Sequence, residues 1–375
     1  MLTGTMVDMD PELEAFTPLF PSADRSNHRA NHRPALAASA PAPGTTTIPQ
    51  CRHTHSRDDA ALSASRGWRA GGRRRRIAPV TVGVLAAALI AVNTMSVLTE
   101  TAEASGEQIV RLPGGDVHVV QSGPPIAPAV VLLHGTAGST AWWDPVAPAL
   151  RDWHVVRVDL LGHGRSAKPG GGYRVAEQAH TVGAVLDHLG VRRATVVGDS
   201  TGGMVATSLA EQRRDLVTAI ALIDTGPRAD AYIGDSLISR LLPVPVVGQL
   251  VWRLRADNTI RGALGTAFTR DVRVPDQIIA DVRGMTYRSF TATYQASLAF
   301  LRERPVPDRL GKLGMPVLVI FGSRDRRWEP SSVDDYRRVP HARIAVLDVG
   351  HTPMFEDPDA TGALLGAFAR HNASR

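Results

Sequence analysis

One short stretch of this chain admits few folds. The apolar, β-rich run from Ala194 to Val197 meets Gly198-Asp199-Ser200-Thr201-Gly202, and a helix-forming stretch from Met204 to Arg213 follows. A strand that becomes a helix within so few residues needs a very tight turn. The small glycines let strand and helix approach closely, while the serine projects from a strained backbone. The next backbone N–H, that of Thr201, then stands at a helix N-terminus, where it can stabilise negative charge.

Similar apolar runs recur through residues 105–375. Gln108 to Arg111 and Val117 to Gln121 flank the turn signal Pro113-Gly114-Gly115-Asp116. Ala129 to Leu133 ends in His134-Gly135, and His154 to Leu160 ends in Gly162-His163-Gly164. Ala176 to Leu189 has helical spacing, with Val182, Val185, Leu186 and Leu189 on one face. Val217 to Ile223, Pro316 to Phe321 and Arg343 to Leu347 are further strand candidates. Continuous apolar strands separated by helices predict a mostly parallel sheet covered on both faces, an α/β architecture. Between Asp224 and Pro316 the strand signals stop. Residues 226–310, interrupted by prolines at 227, 243, 245, 275, 305 and 307, read as an inserted helical cap.

A serine hydroxyl is a weak nucleophile until a base takes its proton. His351 follows the run Ile344 to Leu347 through Asp348-Val349-Gly350, so it is expected just past a strand end. His134 and His163 lie in glycine turns, His180 and His188 on a helix, and His118, His154 and His341 in or just before strands. The base needs a carboxylate to fix its tautomer. Asp325 follows the strand ending at Phe321 and is the favoured partner. Asp224, at the end of the preceding strand, is the rival, whereas Asp348 and Glu329 read as surface or loop charges. The chain order Ser200, Asp325, His351 suits a serine elbow on an α/β sheet. The backbone N–H of Thr136, in the turn after Leu133, is expected to pair with that of Thr201 across a developing oxyanion.

Four motifs carry a resemblance to a known family. They are His134-Gly135-Thr136 with Ser139 and Trp142; Asp159-Leu160-Leu161-Gly162-His163-Gly164-Arg165-Ser166; the Ser200 elbow; and Gly350-His351-Thr352-Pro353 with Glu356-Asp357-Pro358. Over nearly all of residues 108–371 the chain resembles the α/β-hydrolase superfamily, in the serine-nucleophile branch with a helical cap (esterase- and lipase-like). Epoxide hydrolases and haloalkane dehalogenases of that family carry an aspartate where Ser200 stands. The resemblance implies hydrolysis of a small-molecule carboxylic ester through an acyl-enzyme, without a cofactor. A carbon–carbon bond hydrolase on the same triad, or a non-catalytic membrane-tethered binding protein, is the alternative.

The N-terminal quarter reads differently. Residues 1–65 are rich in Ala, Pro, Ser, Thr, His and Arg, lack any sustained period, and are expected to be disordered. Residues 1–76 form an Arg-rich segment that places six Arg between Arg66 and Arg76. Residues 77–99 hold 23 uncharged residues. At about 1.5 Å per residue they can cross a bilayer core of roughly 30 Å. The basic flank predicts a signal-anchor with its N-terminus in the cytoplasm and the rest outside. A cleaved signal peptide ending near Ala102-Glu103-Ala104 is the competing expectation. Net charge is +4 over residues 1–76 but only +2 over 77–375, so the basic pI does not point to nucleic acid. Cys51 stands alone, and His28 with His32 lacks the acid of a zinc helix, so no disulfide or metal is expected. Gly162-His163-Gly164 runs into Lys168-Pro169-Gly170 instead of a helix, so no dinucleotide site is expected. Trp142 and Trp143 read as core packing, with one of them lining the acyl pocket as the other reading, and Tyr232, Tyr287 and Tyr294 as packing or pocket wall in the cap. The uncharged stretch from Leu241 to Trp252 reads as a buried cap helix, with an acyl pocket wall or contact with the bilayer as its other readings.

Overall fold

The computed structural model describes residues 74–234, 240–270 and 272–373. The N-terminal tail through residue 73, with Cys51, His28, His32 and half of the Arg cluster (Arg66, Arg69 and Arg73), lies outside the described residues.

An eight-stranded sheet forms the centre, in the order β1-β2-β4-β3-β5-β6-β7-β8. The strands are β1 (Ile109–Val110), β2 (Val117–Ser122), β3 (Ala129–Leu133), β4 (His154–Val158), β5 (Ala194–Asp199), β6 (Val217–Ile223), β7 (Val317–Gly322) and β8 (Ala342–Leu347). β1 and β2 pair antiparallel at one edge, and every pairing from β4 to β8 is parallel. The parallel centre follows from composition. β3, β5 and β7 are buried along their whole length, so both faces must be covered by helices. Side chains such as Val131, Leu132 and Leu133 have no exposed surface, and each burial of this kind is worth about 1.5–3 kcal/mol. The predicted first strand is shorter than its apolar run, because Gln108 and Arg111 flank only a two-residue pairing.

Two helices read from sequence are present as α2 (Val175–His188) and α3 (Thr201–Gln212). α2 turns Val182, Val185 and Leu186 into the core, as its spacing requires. Between β6 and β7 the chain leaves the sheet and runs through helices Val247–Arg253, Asp257–Gly265, Asp276–Gly284 and Tyr287–Glu303 before it returns. The stretch 241–252 is not one buried helix. It divides into turns up to Val246 and the helix Val247–Arg253, because Pro243 and Pro245 cannot continue a helix. Its inner side chains Leu242, Gln249 and Trp252 are buried, while Val244, Val247 and Leu250 are each at least 40% exposed.

At the N-terminal end stands α1 (Arg74–Thr99), whose section Val80–Thr99 is long and apolar enough to cross a membrane.

Candidate active site

Parallel strands bring their C-terminal ends to one edge, and the candidate residues lie there. β3 leads to Gly135 and Thr136, β5 to Ser200, β6 to Asp224, β7 to Asp325 and β8 to His351. Sequence positions more than 200 apart meet because β5 is central, flanked by β3 and β6.

The elbow has the strain that its glycines imply. Ser200 sits at φ 49°, ψ −114°, a conformation that L-residues rarely adopt. A Cβ on Gly198 would overlap the Gly202 carbonyl, and one on Gly202 would overlap the Leu133 carbonyl. Both positions are therefore closed to larger residues. The Ser200 N–H donates to Ile223 O at 2.8 Å, which ties the strained residue to the neighbouring strand end.

His351 Nδ1 lies 2.8 Å from Asp325 Oδ2. The other Asp325 oxygen accepts from the N–H groups of Arg327 at 2.6 Å and Trp328 at 3.2 Å, so the carboxylate has a fixed orientation. Asp224 is fully buried beside this pair, and one oxygen accepts from Gly322 N–H at 2.7 Å. Ligand atoms of Asp224, Asp325 and His351 lie within 4.8 Å of one another. Burial, then the Asp325 charge, pushes the Asp224 pKa well above the carboxylate range. It is an Asp325 oxygen, not one of Asp224, that lies at hydrogen-bond distance from His351 Nδ1.

The Thr136 and Thr201 N–H groups meet no acceptor among the described residues. Their side chains are linked, Thr136 Oγ1 to Thr201 Oγ1 at 2.8 Å and on to Ser297 Oγ at 3.0 Å in the cap helix Tyr287–Glu303. Both residues line the cavity that Ser200 faces.

The remaining histidines of the glycine turns are structural. His134 Nε2 accepts from Leu160 N–H at 3.0 Å, which fastens one turn to the other. Burial pushes His163 down to about 3. His118 pairs with the buried Asp159 at 2.8 Å, and Asp159 also takes the Thr140 and Arg165 N–H groups.

Three features escaped sequence reasoning. Glu356 stood in a quoted motif without a role, yet its buried carboxylate accepts five hydrogen bonds, from Gly350, Thr352, Arg270 and twice from Thr269. It clamps the His351 loop to the cap. Asp281 of the cap accepts from Ser139 Oγ at 2.6 Å and ties the cap to the β3 turn. Asp199, beside the nucleophile position, is buried, and burial together with the Asp325 charge pushes it up to about 7. Only Asp199 had a local signal, as a carboxyl at a strand end; Asp281 and Glu356 lie on helices, and their burial depends on distant segments.

Ser200 and His351 face one cavity of about 610 Å³. Thr136 and Thr201 lie on its floor, and Trp252, Phe290, Tyr294 and Leu298 line the cap side. Trp142 also reaches the cavity, stacked edge-on against Phe355, so only Trp143 is purely core. Tyr232 and Tyr294 form pocket wall in edge contact at 5.8 Å, whereas Tyr287 is buried and donates to Leu242 O.

Comparison with known proteins agrees with this fold. The family model for the alpha/beta hydrolase fold matches residues 128–256. Haloalkane dehalogenase 2 of Mycobacterium tuberculosis is 28% identical over 264 residues, 68% of this chain and 90% of that protein. The solved enol-lactonase from Burkholderia xenovorans LB400 is 23% identical with a TM-score of 0.58, covering 70% of this chain and 99% of its own. A membrane phospholipase A, described as a bacterial virulence factor, is 26% identical with a TM-score of 0.58, covering 81% of this chain and 100% of its own. With the elbow, the sheet order and these likenesses together, the chain has the α/β-hydrolase fold and is similar to members of that superfamily.

Proposed function

We propose that this chain is a membrane-anchored serine hydrolase that cleaves a carboxylic ester with a hydrophobic part. One arrangement carries the reading: a strained Ser200 opens into the same mostly apolar cavity as a His351 paired with Asp325.

In the proposed mechanism Ser200 Oγ attacks the ester carbonyl as its proton passes to His351 Nε2. The carbonyl oxygen becomes an anion held by the Thr136 and Thr201 N–H groups. Collapse breaks the ester bond, and the leaving alcohol takes the proton from His351. Water then gives a proton to His351, attacks the acyl group and releases the acid, and the proton returns to Ser200. Relatives named for dehalogenase chemistry do not change this reading, because alkyl-enzyme formation needs a carboxylate where Ser200 stands. α1 is the proposed anchor, with Val80–Thr99 as the span.

The test is labelling of the full chain in detergent with a fluorophosphonate probe, followed by mass mapping. Label confined to Ser200 is expected, with none on Ser200→Ala. A folded protein that takes no label would overturn the serine mechanism and favour the binding-protein alternative.

The pH profile gives a second expectation. His351 acts as a base only when neutral, so turnover falls as pH drops through its pKa. Burial disfavours its charged form, but the Asp325 carboxylate and then Asp199 outweigh burial and hold its pKa above 6.5. The acid limb of kcat/KM is expected above pH 6.5 for that reason. Asp199 titrates near 7, so the limb belongs to both groups. Asp199→Asn removes one negative charge, and the limb should move to lower pH while the plateau rate stays within about tenfold. A pH–rate profile that does not move would remove Asp199 from the site's electrostatics.

A further inference from the structure

The end of α1 is fastened to the cap. Thr94 Oγ1 donates to Gln249 Oε1 at 2.8 Å, and Gln249 is almost fully buried. Arg253 donates to Asn93 Oδ1 at 2.8 Å and to Ser96 Oγ at 3.3 Å. Arg288 of the cap donates to the Leu98 carbonyl. Val97 is buried in the same core as Trp252 and Tyr287. Three polar residues near the end of this mostly apolar helix, Asn93, Thr94 and Ser96, thus meet the cap helix Val247–Arg253.

The remaining surface of α1 stays apolar to the same height. Leu85, Leu89, Val92 and Met95 are 59–70% exposed. Met95 lies within the Asn93–Ser96 turn that holds the cap. If Met95 faces lipid, the cap helix beside it cannot stand clear of the membrane. At about 1.5 Å per residue, Asn93 is only some 9 Å from the end of α1. That is about the depth at which an interfacial amphipathic helix rests, roughly 5–10 Å below the headgroup boundary.

The cap helix has the surface for that position. Val247, Leu250 and Leu254 recur at helical spacing and are 41%, 42% and 79% exposed, with Val244 before them at 40%. On the inner side of the same segment, Leu242, Pro243, Val251 and Trp252 line the cavity that holds Ser200. One short segment thus presents an apolar stripe outward and a cavity wall inward.

We propose that residues 243–254 dip into the leaflet at the C-terminal end of α1, so that the cavity draws its ester directly from the bilayer. The substrate class is a lipid-soluble ester with a long acyl or alkyl chain, which reaches Ser200 without crossing water. This rests on reading α1 as a membrane span and Ser200 as the nucleophile.

The test uses the full chain in phosphatidylcholine vesicles, in a Cys51→Ser background. A polarity-sensitive dye is placed at Leu254→Cys, and for control at Ile126→Cys. Ile126 is 96% exposed and precedes β3, at the sheet edge opposite Ser200. The dye at 254 should shift to the blue and be quenched by spin-labelled lipid, and the dye at 126 should not. In parallel, Val247→Glu with Leu254→Glu should slow hydrolysis of a vesicle-embedded long-chain ester at least tenfold and leave a soluble butyrate ester unchanged. A dye at 254 as unquenched as that at 126, in protein that resists alkaline extraction, overturns the proposal. Equal activity of the double variant on both esters does the same. Extraction of the protein by alkali would instead refute the membrane span. Absence of turnover on either ester by the parent would refute the hydrolase reading, and the dye result would still stand.

Discussion

Ser200→Ala should lower kcat for a soluble ester by about 10,000- to 1,000,000-fold, with KM changed only a few-fold. The size follows from what alanine removes. It keeps Cβ and the elbow backbone, so the Ile223 bond and the glycine contacts stay in place and the melting temperature should hardly move. Only the attacking oxygen is lost. Substrate still meets the cavity wall and the Thr136 and Thr201 N–H groups, which leaves a residual rate above that of water. Steady-state kinetics with a short-chain chromogenic ester check this. A loss of less than about tenfold would mean that another group attacks, and Ser200 would revert to a structural residue at a tight turn. If the parent turns nothing over and Ser200→Ala still binds ligand, the fold serves binding.

Much of this candidate site could be read from the sequence because it rides on apolar strands, most of them buried. β3, β6 and β8 match their apolar runs to within one residue, and the candidate residues sit a fixed few positions past strand ends. Parallel pairing then does the assembly. Ser200, Asp325 and His351 need no pattern of their own beyond the order of the strands. What stayed hidden depends on contacts between distant segments. Nothing local marks Gln249 as buried, because Thr94 holds it from 155 positions away. The prolines at 243 and 245 do break the 241–252 stretch, and its outward stripe became visible only once the inner face was known. Glu356 looks like an ordinary charge before a proline until the cap residues Thr269 and Arg270 donate to it. Asp224 was the rival acid in sequence because it ends a strand as Asp325 nearly does. The His351 hydrogen bond to Asp325, and the raised pKa of Asp224 beside it, separate the two.

That separation predicts an inverted order of severity at Asp325. Asparagine is the closer mimic in shape, and alanine is the larger deletion, yet Asp325→Asn should be the worse enzyme. The Asp325 oxygen facing His351 Nδ1 at 2.8 Å accepts a proton-bearing nitrogen. An amide NH2 there would donate instead, forcing the proton to Nε2 and leaving no base toward Ser200. A loss of about 10,000-fold in kcat is expected for such a tautomer change. Alanine leaves Nδ1–H without a partner but imposes no wrong one. It also removes the charge that helps keep Asp224 protonated. Asp224 then ionises more readily, already within reach of His351 and fixed by the Gly322 N–H. Asp325→Ala should therefore lose only about 100-fold, and Asp325→Ala with Asp224→Asn should fall back to about 10,000-fold. Asp224→Asn alone should cost less than about tenfold, since burial and the Asp325 charge already favour the neutral carboxyl there. kcat across the four variants, each with its melting temperature, decides the matter. If Asp325→Ala and the double variant are equally impaired, Asp224 does not stand in, and its place beside the pair is only structural.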